Sequence, residues 1–507
     1  MTATRNVISE LVQQRPRRAV LEVSGGELVA GATLLFASGY RLALVAAHDD
    51  SDGLRVVYLF VDGPPDQRVE LHVRLSRDQP RVTSLAHLSF PAGRFEREMR
   101  DLFGIEPVGH PQARPLVLHQ HWSPEWHPLR HDAGVQPPMT SDAPTYPFAE
   151  IRGPGLYEIP VGPVHAGVIE PGHFRFWVMG ETIVKMKARL WFTHKGVEQL
   201  FEGRDVSSAV ELAERISGDS AVSHSLAFCL AVEEALGIDV PQRARELRAL
   251  LLELERLYNH VADVGALCND AGFSLANARA LVVRERLLQI NDAVVGHRLL
   301  RGGVRVGGVM LRRLPPLDSL REIGERFHEL LAVARANSIV MDRFRGTGVL
   351  TIDQAREIGV LGVVARASGL ERDARVAHPF IASTSSMPMG GPREGDVLAR
   401  FSVRAEQFDE SLALVQEYGS RDGALSSDAP TQRREWLGHG TGIVEGWRGT
   451  VVHRVEVDSS ERMTRVKVVD PSFLTWPALA VALADTIVPD FPLVNKSFNL
   501  SYAGNDL

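Results

Sequence analysis

Cysteine is almost missing from this sequence: only Cys229 and Cys268 occur among its 507 residues. Two thiols exclude a disulfide scaffold at this length, and they fit a reducing, cytosolic setting. They also cannot supply the four thiolates of an ordinary iron–sulfur cluster or of a cysteine-ligated bimetallic centre. The chain is therefore expected to hold no such group by itself.

Basic runs and long apolar runs are missing too. The 56 basic and 63 acidic residues are interspersed and leave a net charge of −7, so nucleic acid is not an expected partner. The N-terminal residues lack the apolar core of a signal peptide. The longest apolar segment, WPALAVALADTIVPDF, is interrupted by Asp485 and limited by Pro477 and Pro489. We expect no membrane-spanning helix.

The remaining composition is that of a globular protein, with 44% apolar and 23% charged residues. The length predicts two or three domains. The segments LRVVYLFVDG and QRVELHVRLSR have the alternation typical of strands, and FPAGRFEREMRDLFGIEP predicts a short helix that ends at Gly104. This small α/β domain is assigned to residues 1–132, and the proline-rich residues 133–150 are the predicted linker.

Residues 151–507 predict a mainly helical domain with short β-sheets, which makes the whole chain α+β. In residues 246–272, Leu250, Leu254, Leu257, Val261, Val264 and Cys268 recur at helical spacing. Further helices are predicted across residues 274–297, 317–336 and 395–418. The turn Ser217-Gly218-Asp219-Ser220 is interpreted as the N-cap of a helix over Ala221–Leu236, with Gly237 just past its end. Cys229 and Cys268 are interpreted as small buried core residues.

A long motif occupies the end of the first domain, within residues 95–132. It consists of Glu-Arg-Glu, Asp, Gly-Ile, Gly-His-Pro and His-Pro-Leu-Arg in that order. Its residues are Glu96, Arg97, Glu98, Asp101, Gly104, Ile105, Gly109, His110, Pro111, His127, Pro128, Leu129 and Arg130. This stretch resembles the thirty-kilodalton-type subunit of respiratory complex I.

Five segments carry a second resemblance: GPVHAGVIEPGHFRF, THKGVEQL, LERLYNHVADVGALCNDAGF, GHRLLRGGVRVGG and DVLARFSVR. From Gly162 onward the chain is similar to the large subunit of membrane-bound nickel–iron hydrogenases, as in formate hydrogenlyase, and to the homologous large subunit of complex I. The two resemblances follow each other in the order of a fused complex. They imply a small α/β domain followed by a hydrogenase-large-subunit-like domain.

The resemblance also implies where a metal would be held. Active hydrogenases carry C-x-x-C at the position of SGDS and a second C-x-x-C near the C-terminus. Here Ser217, Ser220, Ser501 and Gly504 occupy those four positions. Nickel in such a site is held by soft thiolates, whereas a hydroxyl is a hard, weak ligand and glycine has no side chain. We therefore expect no nickel and no cofactor held by this chain, with vacated ligand positions at these four residues.

Three residues of the GPVH…EPGH loop are implied to act near the vacated site. His173 matches a histidine that complex I places at the quinone head-group, and His165 is a second candidate in the same loop. Glu170 matches a carboxylate that hydrogenases use for proton transfer. Together His173 and Glu170 would form a proton relay. The alternatives are ordinary loop histidines and a solvent-exposed ion pair.

Arg215 matches an arginine that in complex I faces the terminal iron–sulfur cluster of the small subunit. A buried guanidinium there would raise the potential of the cluster. The alternative is a structural salt bridge with Glu211 or Glu214. His224 also matches a family position, as do Arg298 and Asp506. The tyrosine that complex I uses at the quinone falls on Gly218 in this chain.

The favoured hypothesis is a fused, metal-free large subunit of a complex I-like or formate hydrogenlyase-like membrane complex. Its residues His173, Glu170 and Arg215 would serve the reaction, and His165 and His224 would line the site. It would pass electrons from an iron–sulfur cluster in a small partner subunit towards a quinone or similar acceptor. GHRLLRGGVRVGG lacks the G-x-G-x-x-G spacing, so NADH would be oxidised elsewhere in the complex.

The second hypothesis is a catalytically silent scaffold that couples the iron–sulfur subunit to membrane proton-pumping, antiporter-like subunits. The third, an active hydrogenase, is disfavoured by the cysteine count. In the first two cases the chain is expected to be a peripheral protein on the cytoplasmic face of the membrane.

Overall fold

The structure is a computed structural model, which describes the chain except for residues 1–7, 9, 12, 15, 141–145, 147, 149–150, 167–168, 382–392 and 429–432. Its contacts divide the chain into two compact units. The N-terminal unit consists of Met1–Glu150 with Val376–His378, and the C-terminal unit of Ile151–Arg375 with Pro379–Leu507. Part of the predicted linker over 133–150 lies outside the described residues.

The N-terminal unit is built on a four-stranded sheet made of β1 (Arg18–Glu22), β2 (Arg41–Asp50), β3 (Gly53–Asp62) and β4 (Gln67–Leu75). The strand order is β1-β4-β3-β2. The strand β1 runs parallel to β4, and the other pairs are antiparallel. A second, two-stranded parallel sheet joins β5 to β6. The elements are β1 Arg18–Glu22, α1 Gly25–Ala37, β2 Arg41–Asp50, β3 Gly53–Asp62, β4 Gln67–Leu75, β5 Arg81–Thr83, α2 Phe90–Phe103 and β6 Glu106–Val108. The predicted strands β3 and β4 are confirmed, and α2 ends at Gly104 in the left-handed conformation.

Charged residues of the thirty-kilodalton-type motif hold loops onto helix α2. Glu96 is buried and accepts hydrogen bonds from the Ser84 hydroxyl (2.5 Å) and the Leu85 N–H (2.6 Å). Asp101 accepts from the N–H groups of Leu116 and Val117, both at 2.8 Å. Buried backbone donors need such partners, so in this unit these two motif carboxylates act in the structure of the fold.

In its described residues, the C-terminal unit contains three small antiparallel sheets. Two are three-stranded meanders, and the third joins three very short strands. The strands are β7 Leu156–Val161, β8 His173–Met179, β9 Thr182–Arg189, β10 Val304–Arg305, β11 Gly308–Met310, β12 Ser426–Ser427, β13 His439–Gly446, β14 Gly449–Val457 and β15 Met463–Val469.

Helices supply most of the C-terminal part of the chain. They are α3 Val197–Phe201, α4 Val206–Ala213, α5 Ala221–Leu236, α6 Gln242–Asp270, α7 Ser274–Val295, α8 Leu317–Ala336, α9 Ser338–Phe344, α10 Ile352–Ile358, α11 Gly362–Ala367, α12 Ala374–Ala377, α13 Val397–Gly419, α14 Pro471–Ala482, α15 Phe491–Phe498 and α16 Tyr502–Asp506, with a 3₁₀ turn at Val488–Asp490. The predicted α+β class is confirmed. Among the described residues, none of these helices combines the length and the apolar composition needed to cross a bilayer.

The predicted long helices are confirmed. The helix α5 covers Ala221–Leu236, with Gly237 left-handed at its end, and α8 has the predicted bounds. Cys229 and Cys268 are buried, as expected of core residues, and burial raises the pKa of the Cys268 thiol to about 12. Such thiols are inert packing groups.

The helices α6 and α13 face each other with buried polar residues as well as apolar ones. On α6 the spacing of three and four brings Glu253, Arg256, His260 and Asp263 to one face, and on α13 it does the same for Arg400, Arg404, Gln407 and Ser411. Arg404 Nε donates to Asp263 Oδ2 (2.6 Å), and the Ser411 hydroxyl donates to Glu253 Oε2 (2.6 Å). The Gln407 amide lies 2.9 Å from His260 Nε2. We call these eight residues the charged seam.

Removing one partner of the charged seam is expected to destabilise the C-terminal unit strongly. Asp263→Asn leaves the Arg404 guanidinium buried without its carboxylate, which typically costs about 3–5 kcal/mol. Urea unfolding of the variant measures the change. The matched control is Asp353→Asn, which removes an exposed carboxylate that pairs with Arg356 on the surface. Equal losses in the two variants would contradict a stabilising role for the seam.

Candidate functional site

The serine-containing turn joins α4 to α5 and is built differently from the expected cap. Ser220 stands at the N-cap position, but its hydroxyl accepts from Trp447 Nε1 (3.1 Å). The capping acceptor is instead Glu255 of α6, which takes the N–H groups of Val222 (2.6 Å) and Ser223 (3.1 Å). Ser220 therefore occupies the predicted N-cap position, but the Glu255 side chain from a neighbouring helix, and not the serine hydroxyl, satisfies the free N–H groups of α5.

Asp219, in the middle of this turn, forms a bidentate ion pair with Arg448. The distances are 2.6 Å from Arg448 Nη1 to Oδ1 and 2.7 Å from Nη2 to Oδ2. The Arg448 guanidinium also lies 3.9 Å over the ring of Trp447 and donates from Nε to the Asn499 carbonyl (2.6 Å). Burial opposes ionisation of Asp219, yet the Arg448 guanidinium lowers the pKa of that carboxyl. A full ion pair therefore stands at the turn.

The vacated ligand positions come together, but as hydroxyls and backbone. Ser217 Oγ lies 2.9 Å from Ser501 Oγ, and Ser501 Oγ accepts from the Gly504 N–H (2.8 Å). A Cβ atom on Gly504 would lie 2.5 Å from the carboxylate carbon of Asp470. Position 504 therefore has no room for a ligating side chain while Asp470 keeps its place. The four residues present do not fit a thiolate-bound nickel ion.

His224 lies inside the unit, in a linear chain of buried groups. Its Nε2 donates to Asp470 Oδ2 (3.0 Å), and its Nδ1 lies 3.0 Å from Nε2 of His453. Both histidines are completely buried. Burial and the neighbouring His224 lower the pKa of His453 far below its ordinary value. His453 is therefore neutral, with its Nε2 facing Nδ1 of His224, and Nε2 of His224 faces the Asp470 carboxylate.

The loop from Gly162 to His173 is held by its own backbone. The His165 ring donates from Nε2 to the Gly172 carbonyl (2.7 Å), and the His173 ring donates from Nδ1 to the Gly162 carbonyl (3.1 Å). Glu170 accepts from the Ala503 N–H (3.0 Å). Glu170 and His173 thus bind different backbone groups. These hydrogen bonds do not form the solvent-exposed ion pair that was the alternative interpretation.

The C-terminal segment links the loop to the turn. Glu170 contacts the N–H of Ala503, and Ser501 contacts Ser217 of the turn. A Cβ atom on Gly172 would lie 2.5 Å from the Tyr502 ring, so glycine is required there for the close approach. The two segments that were expected to form the site are therefore joined through residues 501–503.

Arg215 is half exposed, with 52% of its side chain accessible. It donates from Nη1 to the Glu211 carbonyl (2.7 Å) and pairs with the Glu211 carboxylate (3.3 Å). This is the alternative salt bridge, and the guanidinium lies on the surface of this chain. Glu214 instead accepts from the Gly302 N–H (2.6 Å).

Arg298 and Asp506 have structural partners. Arg298 pairs with Glu285 on the surface, and Asp506 accepts from the Thr193 N–H (3.0 Å).

Three families match parts of the chain. Residues 21–138 match respiratory-chain NADH dehydrogenase, 30 Kd subunit, and residues 270–434 match the 49 Kd subunit of the same enzyme. Residues 195–267 match nickel-dependent hydrogenase.

Two relatives from Escherichia coli (strain K12) match most of the chain. Hydrogenase-4 component G is 34% identical over 445 residues, which are 85% of this chain and 76% of that protein. Formate hydrogenlyase subunit 5 is 30% identical over 490 residues, 93% of this chain and 86% of that protein. The chain belongs to this family of fused complex I-type and nickel–iron hydrogenase-type subunits.

A solved structure of the same architecture is the membrane-bound sulfane sulfur reductase, described as an archaeal respiratory membrane complex. One of its chains is similar to this one with a TM-score of 0.62 and 25% identity. The match covers 70% of this chain and 99% of that chain. The predicted resemblance is confirmed, and these family members are subunits of multisubunit assemblies.

The sequence interpretation missed several residues that lie around the turn at 217–220 and the C-terminal segment. Asp219 lies inside the quoted SGDS motif, and its charge in a turn of small residues was an available signal. Lys195 lies inside THKGVEQL and donates from Nζ to the Ile216 carbonyl (2.8 Å). Burial lowers the pKa of Lys195. Arg448 and Asp470 have no local signal, because their partners are more than 200 residues away.

The Glu255 cap is expected to make the stability of the fold depend on pH. Burial raises the pKa of Glu255 from 4.5 to about 7. Between these values the unfolded chain has lost this proton and the folded chain retains it, so the free energy of unfolding falls as the pH rises. The Glu255→Gln side chain is neutral at every pH. The variant should therefore lack the decrease in the free energy of unfolding, up to about 3 kcal/mol between pH 5 and pH 8, that is expected of the parent.

Thermal unfolding at several pH values checks this expectation. Glu325→Gln, on the exposed side of α8, is the matched control and should unfold with the pH dependence of the parent. A Glu255→Gln variant that keeps the parent slope would show that the carboxylate is ionised across this range.

Proposed function

We propose that this chain is a metal-free large subunit of a membrane-associated respiratory oxidoreductase complex. It receives electrons from an iron–sulfur cluster in a partner subunit and passes them towards a quinone or similar acceptor. The observation that carries the proposal is the state of the four ligand positions. Ser217 and Ser501 are hydrogen-bonded to each other, and Gly504 lies against Asp470. The family supplies the respiratory context.

The absence of nickel and of hydrogen turnover is part of this proposal. Nickel favours soft thiolate donors, and the turn and the C-terminal segment offer serine hydroxyls. The Arg448 guanidinium adds a positive charge beside Ser220, at 3.2 Å from its hydroxyl. Because the Ser220 hydroxyl accepts hydrogen bonds from Arg448 and Trp447, it is less available as a ligand for a metal ion.

His173 and Glu170 are proposed to handle protons for the acceptor. The hydrogen bond to the Gly162 carbonyl fixes the orientation of the His173 ring and places a proton on Nδ1. Burial lowers the pKa of Lys195, and the nearby Glu170 carboxylate acts against this lowering. A positioned imidazole of this kind can protonate a reduced acceptor, and Glu170 can return the proton. His165 and His224 are proposed to position the loop and the interior of the site.

Arg215 is proposed to meet the small iron–sulfur subunit. The proposal is supported by its guanidinium, which is half exposed, anchored to Glu211 and close in sequence to the turn at Ser217. Positive charge near a cluster favours its reduced form and raises its potential. We propose that the complex also contains membrane proton-pumping subunits and that this chain is peripheral on the cytoplasmic face.

A scaffold without chemistry is the second candidate function. The observation that favours it is the position of the C-terminal segment between the loop and the turn. Glu170 accepts from the Ala503 backbone there, and a carboxylate committed to a structural hydrogen bond is less available for proton transfer. In this case the chain would transmit conformational changes from the iron–sulfur subunit to the membrane subunits.

Kinetics of the intact complex separate the two functions. His173→Ala should slow the reduction of an added quinone analogue by roughly a hundredfold, because a general acid is lost. The control is His328→Ala, which removes an exposed histidine of α8 that pairs with Asp409. Both variants should assemble like the parent. If the assembled His173→Ala complex turns over at the parent rate, the scaffold function is correct.

The composition of the purified native complex tests the proposed partners and the loss of nickel. A tag on this chain should recover a small iron–sulfur subunit and membrane subunits from solubilised membranes. The same sample should contain far less than one nickel ion per chain, and it should neither form nor consume hydrogen. About one nickel per chain, which only a high-affinity site would retain through purification, would contradict the proposal.

A further inference from the structure

Asp219 joins three parts of the C-terminal unit that are far apart in sequence. Its carboxylate binds Arg448 from the hairpin between β13 and β14, and it accepts from the Ser217 hydroxyl (3.0 Å). Its backbone carbonyl accepts from Asn259 Nδ2 of α6 (2.9 Å) and from Trp447 Nε1 (2.9 Å). A single residue thus gathers the turn, a core helix and a hairpin.

Arg448 extends the same network to the C-terminal segment. Its Nε donates to the Asn499 carbonyl, and Asn499 Nδ2 donates to Asp263 Oδ1 (2.6 Å). The Arg448 side chain is 7% exposed, so its charge needs a partner inside the protein. Asp219 is that partner, and its carboxylate raises the pKa of Arg448 although burial acts in the opposite direction.

The Asp219–Arg448 ion pair helps to join the same two segments that a bound metal ion would have joined. Four thiolates at 217, 220, 501 and 504 would tie the turn to the C-terminal segment through one ion. In this chain the same two segments are tied by the contact between Ser217 and Ser501 and by the path from Asp219 through Arg448 to Asn499. A thiolate-bound metal ion and the Arg448 guanidinium would each place a buried positive charge between negative or polar groups of the two segments.

We propose that the Asp219–Arg448 ion pair replaces the metal as the cross-link that holds the turn at 217–220, the hairpin at 447–448 and the C-terminal segment together. This inference goes beyond the proposed electron transfer. It rests on one part of the proposed function, namely that this chain holds no metal. The site has been rebuilt around a buried guanidinium and a carboxylate whose side chain is 40% accessible. Returning thiols to the four positions would leave Arg448 in place and would force a side chain at 504 against Asp470.

Thermal unfolding of the full-length chain tests the cross-link. Asp219→Asn removes the charge with little change in shape and should lower the melting temperature by roughly 5 °C or more, because a buried guanidinium loses its partner. Hydrogen exchange should show lost protection in residues 499–507. The matched control is Glu285→Gln, because Glu285 forms a bidentate but exposed pair with Arg298. The control should melt within about 1 °C of the parent.

A double-mutant cycle shows whether the two residues act as one unit. Asp219→Asn combined with Arg448→Met should lower the melting temperature by clearly less than the sum of the two single changes. Additive changes would overturn the inference, and so would an Asp219→Asn variant that melts like the control.

Metal addition gives a second measurement that needs no variant. The melting temperature of the parent chain should not change on addition of nickel chloride or of EDTA. A rise of several degrees with nickel would show that a metal still forms the cross-link, and it would overturn the inference. Neither experiment depends on turnover, so a failure here is distinguishable from a failure of the electron-transfer proposal.

Discussion

Arginines buried in the C-terminal unit require partners, and this requirement fixes how the helices pack. Arg248, Arg256 and Arg404 each meet a buried carboxylate, at Glu233, Glu253 and Asp263. Guanidinium groups have directional donors, so the pairs Arg248–Glu233 and Arg404–Asp263 also set the relative position of the helices that carry them. Apolar contacts alone would allow helices to slide or rotate at small cost, whereas a misplaced buried ion pair is expensive.

The network around Asp219 and Arg448 is a continuation of this core. Arg404 on α13 binds Asp263 on α6, Asp263 binds Asn499, and Asn499 accepts from Arg448, which binds Asp219. The path runs without interruption from the charged seam to the serine-containing turn. The turn therefore has its present shape because the core holds it from one side and the C-terminal segment from the other. Electrostatic networks of this type are worth more than the sum of their pairs.

Much of this architecture is readable from local patterns. Helical spacing of apolar residues predicts α5 and α8 to the residue, and glycine predicts the end of α5 at Gly237. The absence of cysteine at four motif positions is visible without coordinates. Local patterns do not reveal that Glu255 caps α5, because a serine before a helix is normally the better signal. They do not reveal Arg448 either, because its partner Asp219 is 229 residues away. Ion pairs formed by tertiary structure leave no periodic trace in the sequence.

The charged seam also constrains how the C-terminal unit folds. Asp263 and Arg404 are separated by 141 residues along the chain. Until α6 and α13 meet, each of these side chains is better solvated by water than by its surroundings, so neither helix gains from early burial of its polar face. Closing this long loop costs conformational entropy before the contact between Asp263 and Arg404 can stabilise the structure. The seam is therefore a high-contact-order element that forms late, and it makes the two helices a single cooperative unit.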